Sequence, residues 1–169
     1  TGHSKLGIHK INHSINSDIS FVNSHIIAAP SDNRLLQVID TKNEKLLWSY
    51  NFPKSVSYQG NHLRGTSSIN RNGDVLVIYR KLYSFNGLSG EKNWESDIFE
   101  NRLRESLHSI DDQFVFCGTD KGIYCFSQKD GQLVWEKDLG DAVTTQPILG
   151  KGNQLVVITR RYKVLSINK

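Results

Sequence analysis

The chain has 169 residues, of which 37% are hydrophobic and 22% are charged, and its formal net charge is +4. These values are typical of a globular domain, and no apolar run approaches the roughly 18 residues that a membrane-spanning helix requires. We therefore expect no membrane span. We also expect no signal peptide at Thr1, although a mature chain whose signal was removed would look the same. The basic excess lacks the clustered aromatic residues that base stacking requires, so it does not indicate a nucleic-acid partner.

The first 15 residues form a polar lead-in. Within it LGIHKIN (6–12) alternates like one strand of an incomplete preceding unit. His9 and His13 have the spacing of a metal site on a helix, but the run around them has no helical pattern. No cysteine or carboxylate cluster stands nearby to complete a coordination sphere, so we predict no metal site.

From residue 16 onwards, short strand patterns are separated by Asn, Asp, Ser, Lys, Gly or Pro. The second strand of a unit, such as VLVIY (75–79), is continuously apolar, which predicts burial on both faces, whereas the third strand alternates. Only IFENRLRESL (98–107) departs from this rhythm, and we expect a loop or one helical turn there. The predicted units are residues 16–56, 57–102, 103–143 and 144–169. The sequence therefore predicts an all-β protein of about four antiparallel sheets with four strands each.

A tryptophan marks one position in three of the units. Trp48, Trp94 and Trp135 close the segments LLQVIDTKNEKLLW, KLYSFNGLSGEKNW and GIYCFSQKDGQLVW, at steps of 46 and 41 residues. A period in this range, made of short strands, is typical of β-propeller blades. A large flat ring at a repeated position predicts docking of one blade on the next, with the indole N–H donating to the neighbour.

Two cysteines, Cys117 and Cys125, flank the predicted hairpin QFVFCGTDKGIYCF. If its loop is 120–122 with Gly122 in the left-handed region, the cysteines lie directly opposite each other; a one-residue change of loop separates them. Two interpretations therefore stay open. The cysteines are either buried thiols in the core or a cross-strand disulfide, which would require an oxidising compartment.

The strand with tyrosine and a small residue, the glycine turn and the tryptophan four residues later resemble the repeat of pyrroloquinoline-quinone-type (PQQ-like) propellers. The resemblance is clearest over residues 122–159, including Pro147 before the next first strand, and covers roughly residues 20–169. WD-type repeats have a similar period, but here the tryptophans are followed by serine or glutamate rather than by aspartate.

This family contains quinoprotein dehydrogenases and non-catalytic propellers, and the fold alone does not choose between them. The dehydrogenases hold a quinone and calcium with adjacent cysteines and an axial tryptophan, whereas here the cysteines are eight residues apart and the tryptophans occupy the docking position. The resemblance therefore implies the non-catalytic branch, similar to outer-membrane assembly lipoproteins and lumenal sensor-type propellers. It implies no cofactor and favours a periplasmic or endoplasmic-reticulum-lumenal location, with a cytoplasmic one as the alternative.

No catalytic motif is present in the sequence. There is no Gly-x-Ser-x-Gly elbow and no His-Glu-x-x-His, and GTDKG (118–122) offers one carboxylate where calcium requires several oxygen ligands. We therefore expect no enzyme and no catalytic residues.

The remaining signal lies in the connections that follow the first two tryptophans, SYQGNHLRG (57–65) and DIFENRLRE (97–105). Exposed Tyr, Phe and Arg on the loops of a rigid scaffold are typical of protein interfaces. The predicted partner-binding residues are Tyr58, His62, Arg64, Phe99, Arg102 and Arg104. The alternative is that the aromatic ring of Phe99 packs on its own blade and the arginines are solvated.

The sequence thus predicts a non-enzymatic scaffold that recognises another protein. Two alternatives stay open: a small bacterial immunity-type protein that neutralises one cognate toxin, and a fragment of a quinone-dependent dehydrogenase. Four units leave outer blade edges unpaired, which folded proteins avoid. Either the chain is part of a larger propeller, or its blades close on themselves, or two copies complete each other as a homo-oligomer.

Overall fold

The computed structural model describes residues 18–31, 34–53, 67–97, 103–152 and 154–168, and for residues 103–107 it describes the backbone alone. All regular secondary structure in these ranges is β-strand, arranged in four antiparallel sheets. This confirms the predicted all-β class and its propeller-type repeat. No helix in the described part of the chain has the length and apolar character needed to cross a membrane.

The sheets follow one another along the chain, and each is a meander of consecutive strands. The first sheet contains β1 (Ser20–Phe21), β2 (Ile26–Ser31), β3 (Leu35–Asp40) and β4 (Lys45–Asn51). The second contains β5 (Ser67–Ile69), β6 (Val75–Tyr79), β7 (Lys81–Phe85) and β8 (Lys92–Glu95). The third contains β9 (Leu103–Ile110), β10 (Phe114–Thr119), β11 (Gly122–Ser127) and β12 (Leu133–Asp138). The fourth contains three strands in the described residues, β13 (Ile148–Leu149), β14 (Gln154–Ile158) and β15 (Val164–Asn168).

Hydrophobic clusters fill the space between successive sheets. In β6, Val75 and Val77 belong to the cluster shared with the first sheet, and Leu76 and Ile78 belong to the cluster shared with the third. Successive side chains of a strand point to opposite faces, so a strand between two sheets must be apolar at every position. The continuous apolar runs of the sequence have this origin.

The third strands of the first three sheets are also largely buried, although their sequence alternates. In β11, Tyr124 and Phe126 face the second sheet, whereas Ile123 and Cys125 face the fourth. The alternation is therefore between aromatic and smaller apolar side chains, not between polar and apolar ones. An alternating pattern indicates one solvated face only when its second residue type is polar.

Hydrogen bonds at the first strands add polar links between neighbouring sheets. Each link uses a serine hydroxyl, and the pairs are Ser20 with Ser67, Ser68 with His108, and Ser109 with the carbonyl of Pro147. These hydroxyls are thereby satisfied between the packed sheets, where an unpaired polar group would destabilise the fold.

The prediction of a loop or helical turn at residues 98–107 is wrong for its second half. Residues 103–107 belong to β9, which pairs with β10 through Val115 opposite Ile110 and Cys117 opposite His108. A register shift between Cys117 and Thr119 lets the polar end of β9 continue alongside β10. Pairing to an adjacent strand therefore overrides the weak local pattern, and residues 98–102 lie outside the described residues.

The hairpin between β10 and β11 has a shorter loop than the one that would place the two cysteines opposite each other. Its turn is Asp120–Lys121, and Gly122 is already the first residue of β11 and is not in the left-handed region. The hydroxyl of Thr119 accepts hydrogen bonds from the backbone N–H groups of Lys121 and Gly122. This two-residue turn sets the register of the hairpin.

As a result, the cysteines lie on opposite faces of the third sheet. Cys117 is opposite Tyr124, and Cys125 is opposite Phe116. Neither cysteine forms a disulfide and both are buried, Cys117 facing the second sheet and Cys125 facing the fourth. The structure thus selects the interpretation of two core thiols, because neighbouring positions on paired strands that point to opposite faces cannot be bridged.

Candidate functional site at the blade seams and the hairpin face

The turn from the third to the fourth strand is built alike in the first three sheets. It begins with Asp40, Asn86 or Ser127, whose side-chain oxygen accepts hydrogen bonds from backbone N–H groups two or three residues later. Its fifth residue has a positive φ, which suits glycine, and two of the three sheets have glycine there: Gly90 (φ 75°) and Gly131 (φ 72°).

The tryptophan of one sheet lies on the turn glycine of the next sheet. A Cβ at Gly90 would lie 2.6 Å from Cγ of Trp48, and a Cβ at Gly131 would lie 2.9 Å from Cζ3 of Trp94. The indole N–H of Trp48 donates to the carbonyl of Gly87 over 3.0 Å. Any side chain at these two glycines would therefore occupy the space of an indole ring.

Trp94 repeats this arrangement one sheet further along the chain. Its indole N–H donates to the carbonyl of Gln128 over 2.9 Å, and Gln128 follows Ser127 just as Gly87 follows Asn86. Each seam thus combines a ring over a glycine with one directional hydrogen bond. That the tryptophans stabilise the docking of the blades stays a prediction, and these contacts are its geometric basis.

Trp135 occupies the same place in the third sheet. Its ring centroid is 6.1 Å from that of Phe116, and it packs against the cluster shared with the fourth sheet. The position that corresponds to Gly87 and Gln128 is Lys169, which lies outside the described residues. In the first sheet Glu44 (φ 53°) takes the place of the turn glycine.

The predicted partner-binding residues can be placed only in part. Tyr58, His62, Arg64, Phe99 and Arg102 lie outside the described residues. Arg104 lies in β9, where the backbone alone is described. Contact of these six residues with a partner stays a prediction.

The described strands nevertheless define the end of the molecule to which these segments connect. Successive turns of a meander alternate between the two ends of its sheet, so the turn from the second to the third strand shares an end with the link to the next sheet. We call this end the hairpin face. The described residues of its tips are Arg34, Arg80–Lys81, Asp120–Lys121 and Thr159–Lys163.

The hairpin face is rich in basic residues. Its tips contain seven lysines and arginines and one described acidic residue, Asp120. Two of the basic side chains have structural partners: Arg34 donates to the carbonyl of Phe52, and Lys81 pairs with Glu95. The exposed ones are Arg80, Lys121, Arg160, Arg161 and Lys163. This cluster, whose sequence signal is TRRYK (159–163), lies outside the connections predicted to bind a partner.

A cavity of about 380 Å³ lies where the first strands of the second, third and fourth sheets meet. It is lined by Ser68, Ser109, Ile110, Gln146, Pro147, Ile148 and Leu149. Beside it, Nε2 of the buried His108 is 2.8 Å from the hydroxyl of Ser68, and its Nδ1 has no partner among the described residues. Burial lowers the pKa of His108 to about 4, so the imidazole is neutral at pH 7.

This serine–histidine pair lacks the third group of a catalytic arrangement. A histidine that activates a serine is oriented through its other ring nitrogen by a carboxylate or carbonyl, and that nitrogen of His108 has no such partner among the described residues. The imidazole instead links the second and third sheets. The described residues also form no group of three or more His, Cys, Asp or Glu side chains that could hold a metal ion.

Four antiparallel sheets packed in chain order, with a tryptophan of one sheet on the turn of the next, define a PQQ-like repeat protein of the β-propeller type. A family model described as outer membrane protein assembly factor BamB matches residues 80–169, which is more than half of the chain. The chain belongs to this family. No curated protein sequence matches it.

Solved structures show the same fold at low sequence identity. The computationally designed Ika4 protein is 14% identical with a TM-score of 0.76, over 99% of both chains. BamB from Moraxella catarrhalis is 16% identical with a TM-score of 0.72, over 93% of this chain and 44% of that one. The designed Ika8 protein is 15% identical with a TM-score of 0.73, over 92% and 46%. The chain therefore spans less than half the length of BamB and of Ika8.

Proposed function

We propose that this protein is a non-enzymatic PQQ-like propeller scaffold that binds another protein. The observation that carries the proposal is the hairpin face, where exposed arginine and lysine side chains project from hairpins of a tightly packed set of sheets. Membership in the BamB family supports it, because that family is named for an assembly factor. Rigid sheets that present variable loops are a frequent arrangement for protein recognition.

The chain positions of the predicted contact segments also favour the hairpin face as the binding surface. The chain leaves β4 and β8 and enters β5 and β9 at this end, so the segments with Tyr58, His62, Arg64, Phe99 and Arg102 connect to strands that end or begin there. A partner that contacts the hairpin tips would therefore also lie near the ends of these strands. Arg and Tyr are enriched among the residues that dominate binding energy at protein interfaces.

Site-specific photo-crosslinking tests the proposal. A photoreactive amino acid replaces Lys121 on the hairpin face or Lys151 in the turn between β13 and β14 at the opposite end, and both positions are exposed. In cells that produce the protein, we expect adducts with a defined protein from position 121 and not from position 151. We also expect the variant Arg102→Glu with Arg104→Glu to weaken binding of the purified partner without changing the melting temperature.

The alternatives give other results in the same experiments. Equal crosslinking from both positions, or none from position 121, would contradict the scaffold function. A single tightly bound toxin as the partner would identify an immunity-type protein. Saturable binding of quinone and calcium together with dye reduction would identify a dehydrogenase fragment.

A further inference from the structure

We propose that the tip of the fourth hairpin, Thr159–Lys163, together with Lys121 binds an extended acidic segment of the partner protein. This inference rests on the proposed function and specifies the chemistry of the partner. It is carried by four features of the tip: its exposure, its positive charge, its hydrogen-bonded backbone and the backbone conformation of Tyr162.

Four of the five side chains of the tip are exposed, whereas Thr159 is buried. Tyr162 is 93% exposed, and Arg160, Arg161 and Lys163 are exposed as well. The ion pairs among the described residues involve Arg71, Lys81 and Lys92, and none of them involves the tip. Arg160, Lys163 and the ring of Tyr162 are thus available to a partner without breaking any described contact, whereas the charge of Arg161 already interacts with the carboxylate of Asp141.

The backbone beneath these side chains is held on both sides. The N–H of Arg160 donates to the carbonyl of Ala142, and the N–H of Thr144 donates to the carbonyl of Ile158. The N–H of Val143, in the same segment, donates to the carbonyl of Thr119 at the end of β10. The third and fourth hairpins are therefore tied to one buried segment, which keeps Lys121 and the fourth tip on a common support. A fixed support lowers the entropy that is lost when a partner binds.

The backbone conformation of Tyr162 disfavours the residue that stands there. Its φ is 60°, a region in which L-residues other than glycine are disfavoured, and its side chain contributes no buried surface to the fold. The hairpin turns of the first and second sheets also have a residue other than glycine in this region, Arg34 and Arg80 with a φ of 64° each. What distinguishes Tyr162 is a large aromatic ring that is 93% exposed. A bulky aromatic side chain that strains the backbone and is almost fully exposed is explained by a role outside the fold.

The distribution of charges around the tip favours an acidic protein segment as the ligand over a uniform polyanion such as a nucleic acid. Guanidinium groups bind carboxylates through paired hydrogen bonds, and an exposed tyrosine offers a flat apolar surface to a hydrophobic side chain. Asp120 beside Lys121, and Asp141, whose carboxylate accepts the N–H of Arg161, interrupt the positive field. A nucleic acid would place phosphates over these carboxylates and would require successive aromatic rings for stacking, whereas the tip has one.

Fluorescence anisotropy with labelled peptides tests this inference. The probes are peptides of about twelve residues with about four acidic residues and an apolar residue at varied positions, and a single-stranded DNA of similar charge is the comparison. The main variant is Arg160→Glu with Arg161→Glu. The matched control is Lys42→Glu with Lys129→Glu, which changes the charge equally at exposed positions of the opposite end.

We expect at least one acidic peptide to bind the wild type about tenfold more tightly than it binds the Arg160→Glu/Arg161→Glu variant. A change of this size is expected when two exposed ion pairs are replaced by repulsive pairs. The control should change the affinity less than about twofold, because charges at the far end are largely screened. Tyr162→Gly should weaken binding while it raises the urea midpoint, since it removes both the ring and the strained conformation. A structural role of Tyr162 would move both readouts in the same direction.

The inference is overturned if no peptide distinguishes the wild type from the main variant, if the control weakens binding equally, or if the DNA binds more tightly than every peptide. Its failure can be separated from failure of the proposed function. If a crosslinked partner binds the main variant as well as the wild type, the scaffold function stands and the acidic-segment inference fails. If position 121 yields no specific adduct, the scaffold function itself fails.

Discussion

Replacement of Gly131 by alanine tests the seam between the second and third sheets most directly. The new Cβ would overlap the indole of Trp94, whose Cζ3 atom would lie 2.9 Å away, and the backbone would keep a φ of 72°. A left-handed conformation costs an L-residue about 1–2 kcal/mol. Overpacking of a filled site costs about 1–3 kcal/mol. We therefore expect a loss of about 2–5 kcal/mol in the free energy of unfolding, as the combination of these two effects.

Gly140 provides the matched control. Its φ is 65°, but no atom lies within 4 Å of the position of an added Cβ. Gly140→Ala should therefore cost only the conformational strain of about 1–2 kcal/mol. The assay is urea unfolding of both variants and the wild type, compared at constant m-value.

A double-mutant cycle identifies the indole as the cause of the difference. Trp94→Ala alone should destabilise the fold by about 3–5 kcal/mol, and in that background Gly131→Ala should cost no more than Gly140→Ala. Equal destabilisation by Gly131→Ala and Gly140→Ala in the wild type would contradict this prediction, because the indole ring would then contribute nothing at this glycine.

Two further predictions concern buried titratable groups. Because burial holds the pKa of His108 at about 4, below its ordinary 6.5, the stability it confers is complete above pH 6.5 and is lost as the pH falls toward 4. The full loss in the free energy of unfolding is about 3 kcal/mol. When the pH is lowered from about 7 to about 4.5, the urea midpoint of the wild type should therefore fall more than that of His108→Gln. Equal decreases of the two midpoints would contradict this prediction. Burial also raises the pKa of the Cys117 thiol, so both buried cysteines should react with a thiol reagent only in denaturant. Rapid labelling of the native protein would show that the third sheet opens.

The candidate interaction surface was only partly accessible to sequence reasoning. The connections with Tyr58, His62 and Phe99 are recognisable in the sequence because aromatic and basic residues stand out in otherwise polar segments. The run Arg160–Lys163 is not, because a basic run between two strands is also what an ordinary solvated turn contains. The run becomes a candidate binding site only through the exposure of its side chains, the positive φ of Tyr162 and the backbone hydrogen bonds that fix the hairpin. No local sequence pattern encodes these three features.

The repeat can be read from the order of the amino acids alone. Trp48, Trp94 and Trp135, the turn residues before them and the apolar central strands are local features, and short strands with this period have few architectures available. Contacts between distant residues, in contrast, emerge only from the folded chain: Trp94 lies on Gly131 of the next sheet, a two-residue turn places Cys117 and Cys125 on opposite faces, and residues 103–107 form a strand. These features depend on strand register and on packing between residues far apart in the chain, and a change of register by one residue reverses every side chain of a strand without altering its composition.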